Sequence, residues 1–153
     1  MKLGIDIMGG DYAPLVSLQG TVMALEQLPN DVTVVLFGDA QKIQSYLNEN
    51  HISDSRIEIV PTSEVIEMHE SPAQAFVEKQ NSSIFVGFQY LKAEKINCFA
   101  SAGSTGAMMV GAMQVIKVIE GIIRPCIASF IPKPDGNFSI IADVGLNPDA
   151  KPD

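Results

Sequence analysis

Three loops of small and polar residues hold the side chains of this chain that are best suited to chemistry. They are Asp6–Asp11, Ser101–Gly106 and Asp143–Asn147, and the last continues to Lys151. Each loop directly follows a short apolar run that predicts a β-strand. Because open α/β sheets bind ligands outside the carboxyl ends of their strands, we expect these loops to form the functional site.

The loop Ser101–Gly106 has the residue types that bind an anion. Its small residues let backbone N–H groups approach a ligand closely, and its serine and threonine hydroxyls add donors. It opens a predicted helix, whose first N–H groups favour negative charge. The plainer interpretation is that its two glycines only permit a tight turn and close helix packing. The lysine and spacing of a Walker A loop are missing, as is the GxGxxG pattern, which disfavours nucleotide binding of those kinds.

The first loop places two carboxylates around a pair of glycines. Gly9 and Gly10 allow a ligand to approach the backbone, while Asp6 and Asp11 could bind a metal or orient a hydroxyl group. The competing interpretation is that Asp11 caps the helix that follows. In the third loop, Asp143 and Asn147 could orient a substrate group or brace the turn.

The histidines and cysteines are weaker candidates. His69 lies in a polar loop with Glu67 and Glu70, where acid–base catalysis is conceivable and simple solvation is the more common outcome. Cys98 and Cys126 sit in apolar runs, so we expect two buried free thiols rather than a nucleophile.

The order of the elements predicts a mostly parallel, doubly wound α/β sheet with an antiparallel hairpin. We expect residues 1–153 to form a single α/β unit, the N-terminal portion of a longer chain. The helix over residues 104–119 is apolar on every side, which predicts burial. The predicted strands cover residues 2–8, 32–37, 56–60, 97–100, 126–131 and 138–142, and the predicted helices cover 15–28, 40–49, 72–80, 82–93 and 104–119.

Composition narrows the class of protein. Hydrophobic residues make up 46% of the 153 residues, enough for a packed core. The formal net charge of −8 arises in residues 1–91, and no run of basic residues exists, which argues against nucleic-acid binding. No uninterrupted apolar segment reaches the 18 residues that a membrane span requires. We expect a cytoplasmic α/β protein.

The loops together resemble the phosphate acyltransferase (PlsX) family of bacterial phospholipid synthesis. The pairing of MGGDYAP with SAG-x-TGA is the specific part of this resemblance. The matching stretches are Gly4–Pro14, Glu64–Met68 with Pro72, Ala75, Lys79, Ser82 and Ser83, Ser101–Ala107, and Asp143–Asn147 with Lys151 and Pro152.

The resemblance implies an enzyme that transfers an acyl group from acyl carrier protein to inorganic phosphate, and we expect no cofactor. It implies a fold similar to isopropylmalate dehydrogenase and phosphate acetyltransferase, and a cytoplasmic homodimer of chains about twice this length. Any peripheral membrane association would come from regions outside this chain. Three positions depart from the family pattern. This chain has Ser104 where the family usually has Asn, Val77 where it usually has Arg, and Leu146 where it usually has a small residue.

On this basis the loops receive roles in acyl transfer. We expect phosphate or oxyanion contacts from Ser101, Gly103, Ser104, Thr105 and Gly106, orienting roles for Asp6, Asp143 and Asn147, a cation in Lys151, and a cleft shaped by Gly9, Gly10 and Asp11. Two alternatives remain. One is acyl transfer with coenzyme A, as in phosphate acetyltransferases, and the other is a non-catalytic module that binds an anion or a carrier protein.

Overall fold

The computed structural model describes residues 1–122 and 125–143 of the chain. Internal contacts divide the chain into two compact units, Met1–Lys117 and Val118–Asp153. The larger unit contains the parallel sheet and five helices, and the smaller contains a β-hairpin. Each unit is described by itself.

A four-stranded parallel sheet forms the centre of the larger unit, which confirms the predicted mostly parallel sheet. Its order is β3-β2-β1-β4, so that the first strand of the chain lies inside the sheet. Leu3 of β1 aligns with Val34 of β2 on one side and with Cys98 of β4 on the other. The strands are β1 Lys2–Asp6, β2 Thr33–Gly38, β3 Ile57–Pro61 and β4 Cys98–Ala100.

Five helices connect and cover these strands. They are α1 Leu15–Leu25, α2 Ala40–Glu49, α3 Pro72–Glu78, α4 Ser83–Lys92 and α5 Thr105–Gly111, which continues as a π-helical turn over Ala112–Ile116. Asp39 caps α2 by accepting hydrogen bonds from the N–H groups of Gln41 and Lys42. The N-cap of α1 is Pro14, without a side-chain cap, so the interpretation of Asp11 as a cap is wrong.

The two faces of the sheet hold separate apolar clusters. Val34 and Leu36 of β2 pack with Leu18 of α1 and Ile43 of α2. The alternate residues Val35 and Phe37 point to the opposite face, since successive strand residues alternate between faces, and there they meet residues of α4. Buried apolar runs of this kind explain why short β-branched segments form the central strands.

Aromatic rings fill the face of the sheet that α4 covers, and two of these rings pack directly against glycine residues. A Cβ atom at Gly87 of α4 would overlap the ring of Phe99, and one at Gly111 would overlap the ring of Phe88. The rings of Phe88 and Phe99 lie 5.5 Å apart in an edge-to-face arrangement, and Phe37 continues the layer at 5.6 Å from Phe99. The close packing of α4 on β4, and of α5 on α4, therefore requires glycine at these two positions.

The apolar helix after β4 is shorter and less buried than its sequence predicts. The α-helix ends at Gly111 and the π-helical turn ends at Ile116, because Lys117 takes a positive φ of 79°. Ala107 and Val115 are buried where this segment packs on α3 and α4, whereas Met113 is 45% exposed. The prediction of burial on every side is therefore wrong.

The prediction of two buried cysteines is also wrong. Cys98 and Cys126 are both free and exposed. Cys98 lies on β4, at the edge of the sheet, so its apolar neighbours in sequence do not place it in the core. Cys126 precedes the first strand of the hairpin, which begins at Ala128 rather than at residue 126.

The smaller unit contains the predicted antiparallel hairpin of β5 Ala128–Pro132 and β6 Phe138–Ala142. Phe130 aligns with Ile140, and the connecting loop is closed by a 2.9 Å hydrogen bond from the Lys133 N–H to the Asn137 carbonyl. Asp143 follows β6 with φ of 63°, and its N–H donates to the Ile127 carbonyl at 2.8 Å.

Candidate functional site

The candidate site begins with Asp6, the last residue of β1. Its side chain is only 2% exposed, although it carries a carboxylate. One carboxylate oxygen accepts a 2.9 Å hydrogen bond from the Met8 N–H, which turns the chain sharply after the strand. The other oxygen accepts a 2.6 Å hydrogen bond from the Ser101 hydroxyl. Because a buried carboxylate needs such donors, Asp6 holds two loops rather than one.

Ser101 joins the first loop to the second. Besides donating to Asp6, its Oγ accepts a 2.9 Å hydrogen bond from the Gly103 N–H. The sheet makes this possible, since β4 is the parallel neighbour of β1 and both strands end at the same edge. Two of the three predicted loops are therefore brought together as expected.

The backbones of the two loops touch at Gly9 and Gly103. A Cβ atom at Gly9 would lie 2.5 Å from an Asp6 carboxylate oxygen and 2.6 Å from the Gly103 nitrogen. A Cβ at Gly103 would lie 3.1 Å from the Gly9 Cα. The Ser17 hydroxyl of α1 donates a 3.3 Å hydrogen bond to the Gly9 carbonyl. Gly9, which the sequence analysis places in the cleft, therefore lies where the backbones of the two loops touch, and only glycine leaves room for this contact.

The start of α5 presents one free hydroxyl. Ser104 is buried and caps the helix, its Oγ accepting from the Ala107 N–H at 3.3 Å. Thr105 is exposed, and no residue in the described part of the chain bonds to its hydroxyl. Gly106 packs against Pro72, whose ring carbon would lie 2.5 Å from an added Cβ. Thr105 is therefore the member of this loop best placed to meet a ligand.

A groove of about 360 Å³ adjoins the joined loops. It is lined by residues of α1 and of the ends of β1 and β4, and Asp6 and Ser101 are among its polar lining residues. Its lining residues are Ile5, Asp6, Ser17, Gly20, Thr21, Ala24, Ala100, Ser101 and Ala102.

An ion pair fixes the loop that precedes α3 and Pro72. The Lys79 ammonium donates to a Glu70 carboxylate oxygen and to the Val65 carbonyl, both at 2.6 Å. The same Glu70 oxygen accepts from the Glu67 N–H. The hydrogen bond from Lys79 is the largest cause that lowers the pKa of Glu70 from its ordinary value of 4.5, and the Glu67 bond adds to it.

The other sequence candidates lie apart from these contacts. His69 is exposed, and Asp11 is exposed with no hydrogen bond to the described residues. Within residues 1–122 and 125–143, no group of three His, Cys, Asp or Glu side chains could hold a metal ion. Gly10 has φ of 104°, which allows the turn between Gly9 and Asp11.

The third loop is described only at its first residue. Asp143 belongs to the smaller unit, and its interactions include the backbone bond to Ile127. Asn147 and Lys151 lie outside the described residues. Their expected roles in orienting the substrate and supplying a cation stay predictions.

Sequence reasoning gave no site role to two residues that shape the site. Ser17 bonds to the Gly9 carbonyl, and Pro72 packs on Gly106. Ser17 carried a signal, since it and Thr21 are polar residues one helical turn apart on a mostly apolar helix. Pro72 belongs to the family pattern, but nothing in the sequence predicts its contact with Gly106, because that contact depends on how α3 meets α5.

This sheet and these strand-end loops define an α/β protein of the phosphotransacetylase type of fold. The structure is similar to that of EutD phosphotransacetylase from Staphylococcus aureus, with a TM-score of 0.59 and 24% sequence identity over 97% of this chain and 47% of that one. The chain belongs to the fatty acid synthesis protein family, whose model matches residues 1–153.

Curated relatives carry a more specific name. A phosphate acyltransferase of Dictyoglomus thermophilum is 46% identical over 151 residues, which are 99% of this chain and 44% of the relative. Phosphate acyltransferases of Caldicellulosiruptor saccharolyticus and Desulfitobacterium hafniense (strain DCB-2) are 43% and 39% identical, over 99% and 100% of this chain and 45% of each relative. This chain therefore spans a little under half the length of these relatives.

Proposed function

We propose that this chain contributes to an enzyme that transfers an acyl group from an acyl carrier protein thioester to inorganic phosphate. The observation that carries the proposal is the Asp6–Ser101 hydrogen bond of 2.6 Å, which holds two loops of the family pattern together at the sheet edge. Membership of the fatty acid synthesis protein family and the name of the relatives support it.

The reaction needs positioning more than it needs a nucleophile from the protein. A phosphate oxygen attacks the thioester carbonyl, the new C–O bond forms, and the C–S bond breaks. The thiolate leaves and takes the proton released from phosphate, so that acyl phosphate and free carrier thiol are formed. An enzyme accelerates this step by holding phosphate against the carbonyl and by stabilising the oxyanion.

The contacts separate loop residues that hold the loops in place from residues that would bind phosphate. Asp6 and Ser101 satisfy each other, so their task in this proposal is to hold the loops in place. Ser104 is occupied as a helix cap, which leaves the exposed Thr105 hydroxyl as the principal side-chain donor to phosphate. Gly103 and Gly106 keep the backbone close enough for a ligand to reach it. Asp143, Asn147 and Lys151 would orient the substrate and supply charge.

The proposal includes the setting in which the reaction runs. The product would serve phospholipid synthesis, and the enzyme would be a cytoplasmic homodimer. No helix in the described part of the chain is long and apolar enough to cross a membrane. Residues 1–91 carry the whole net charge of −8, so cations that attract an acidic carrier protein must come from elsewhere.

The test is an assay of the full-length protein for acyl phosphate formed from acyl carrier protein thioester and phosphate. Thr105→Val should raise the KM for phosphate about tenfold or more, since a hydrogen bond to a charged group is lost. Thr33→Val, the same change at the start of β2, should leave this KM unchanged. Absence of acyl phosphate from the wild-type reaction would refute the proposal.

The alternative acyl donor is a coenzyme A thioester, which the similarity of the fold to a phosphotransacetylase suggests. Comparing kcat/KM for acyl carrier protein and for coenzyme A thioesters of the same acyl group separates the two. A preference for coenzyme A of about tenfold or more would replace the carrier protein in the proposal. Thermal protection by phosphate with no turnover on either thioester would instead favour a binding module.

A further inference from the structure

The side chain of Lys79 connects the two ends of α3. Lys79 is the residue at which this helix ends, and its ammonium group reaches back to the segment before the helix. There it donates to the Glu70 carboxylate and to the Val65 carbonyl, both at 2.6 Å. The Lys79 and Glu70 side chains are each 27% exposed, and a partly buried pair is screened less by salt than an exposed one. The pair therefore holds its two segments together.

Glu70 belongs to a tight turn directly before α3. The Glu67 N–H donates to the Glu70 carboxylate at 2.8 Å, and the Glu70 N–H donates to the Glu67 carbonyl at 3.2 Å. The helix begins at Pro72, only two residues later. Because the proline ring fixes φ, little conformational freedom remains between the turn and the helix. The place of Glu70 therefore sets the place of Pro72.

Pro72 in turn packs against the start of α5. A Cβ atom at Gly106 would lie 2.5 Å from the Pro72 Cγ and 3.0 Å from its Cβ, so the ring and the backbone are in close contact. Ala75 of α3 and Ala107 of α5 are buried in one apolar cluster. Since protein interiors are close-packed, a shift on one side of such a contact is transmitted to the other. A displaced Pro72 would therefore displace the first turn of α5, which includes Thr105.

We propose that Lys79 is a positioning residue for phosphate. Through Glu70 it fixes the start of α3 and so keeps Pro72 against Gly106. The Thr105 hydroxyl then stays where phosphate binds. The role of Thr105 rests on the function proposed above, whereas the contacts that lead to it do not. Since a displacement of about 1 Å in a binding group can slow a reaction strongly, such a link matters even where its residues are remote from the substrate.

A second lysine pair supplies a matched control. Lys2 donates to Glu58 at 2.6 Å, the same length as the bond from Lys79 to Glu70. Lys2 and Glu58 lie toward the amino ends of β1 and β3, whereas the candidate loops follow the carboxyl ends of the strands. Replacing Lys2 therefore removes a comparable ion pair at the opposite end of the sheet.

Steady-state kinetics of acyl phosphate formation by the full-length protein test the role. Lys79→Met should raise the KM for phosphate about fivefold or more and leave kcat within about twofold, because binding of phosphate weakens while the chemical step stays the same. The KM for the acyl thioester should not change, and Lys2→Met should alter none of these constants. A lower kcat with an unchanged KM for phosphate, which a smaller folded fraction would cause, would overturn the proposal.

Further variants test the link through Glu70. Lys79→Arg keeps a cation that can donate to both oxygen atoms, so its KM for phosphate should stay within about twofold of the original value. Glu70→Ala should raise this KM as Lys79→Met does. The double variant should be no worse than either single variant, because both substitutions break the same link. Increases that multiply in the double variant would mean that the two residues act separately, and they would overturn the proposal.

Amide hydrogen exchange tests the same link without any turnover. The N–H groups of Ala107 and Met108 bond to the Ser104 side chain and carbonyl in the first turn of α5. In Lys79→Met they should exchange about tenfold faster or more, while the Ile43 N–H of α2, on the other face of the sheet, keeps its rate. Equal acceleration at Ile43, or unchanged rates at Ala107 and Met108, would overturn the proposal. If the unsubstituted protein forms no acyl phosphate, the function proposed above fails, and the exchange experiment still decides whether Lys79 positions the first turn of α5.

Discussion

Asp6 and Ser101 lie 95 residues apart in the chain, and a 2.6 Å hydrogen bond joins their side chains where β1 and β4 end. The carboxylate is buried, and the hydroxyl that donates to it also accepts from the Gly103 N–H. One hydroxyl thus satisfies a buried charge and a backbone donor at once. The stability of both loops depends on it.

Removal of that hydroxyl should be costly. Ser101→Ala leaves the Asp6 oxygen and the Gly103 N–H without this partner, and we expect the free energy of unfolding to fall by about 2–4 kcal/mol. Urea denaturation of the two single variants and the Ser101→Ala/Asp6→Asn double variant measures the coupling. Additive effects of the two substitutions would contradict a direct interaction.

A methyl group at Gly9 should disrupt the contact between the loops. Gly9→Ala would place a carbon 2.5 Å from the Asp6 carboxylate and 2.6 Å from the Gly103 nitrogen, so we expect a loss of about 2 kcal/mol or more. Gly20→Ala is the matched control, because nothing lies within 4 Å of its Cβ. In this chain it should stabilise the protein by about 0.5–1 kcal/mol, through helix propensity. Equal effects of the two changes in thermal denaturation would argue against the close contact.

Much of this site can be predicted from the sequence, because the signals that predict it lie in short stretches of neighbouring residues. Short β-branched runs predict buried strands, and small polar loops after them predict a site at the carboxyl edge. The direct bond between Asp6 and Ser101 does not follow, because no local pattern shows that β4 lies beside β1. The same missing information explains the cysteines. An apolar triplet at Cys98 has the same appearance in an edge strand as in a central one.

The hydroxyl of Thr62 offers a stability test away from the site. It is buried, and its Oγ makes no hydrogen bond within the described part of the structure. Thr62→Val keeps the shape and removes a desolvated polar group, so the free energy of unfolding should rise by about 1 kcal/mol. Thr21→Val is the control, since that buried hydroxyl donates to the Ser17 carbonyl at 2.8 Å and its removal should give no gain. Destabilisation by Thr62→Val would show that its hydroxyl is satisfied after all.

The Glu70–Lys79 pair predicts a specific acid sensitivity. Folding lowers the pKa of Glu70 below 4.5, chiefly through the hydrogen bond from Lys79. A carboxylate with a depressed folded pKa stabilises the protein above its unfolded pKa, and this stabilisation is lost as pH falls through the folded value. Glu70→Gln should therefore make the loss of stability below pH 4.5 shallower.

Titration of the side chain provides a second measurement of the same pair. In Lys79→Met, the pKa of Glu70 measured by NMR should rise toward its ordinary value. Asp54, whose pKa is lowered mainly by its hydrogen bond with Arg56, is the internal control and should not move. An unchanged Glu70 pKa would mean that Lys79 does not set it.

The glycines that face the aromatic layer have a consequence for how this sequence can vary. Any side chain at Gly87 must displace the Phe99 ring, and any at Gly111 must displace Phe88. A change at either glycine becomes tolerable only in a chain where the facing ring has already become smaller. Each glycine and the ring that faces it should therefore vary together among related sequences. A substitution of the ring by a smaller side chain must come before a substitution of the glycine.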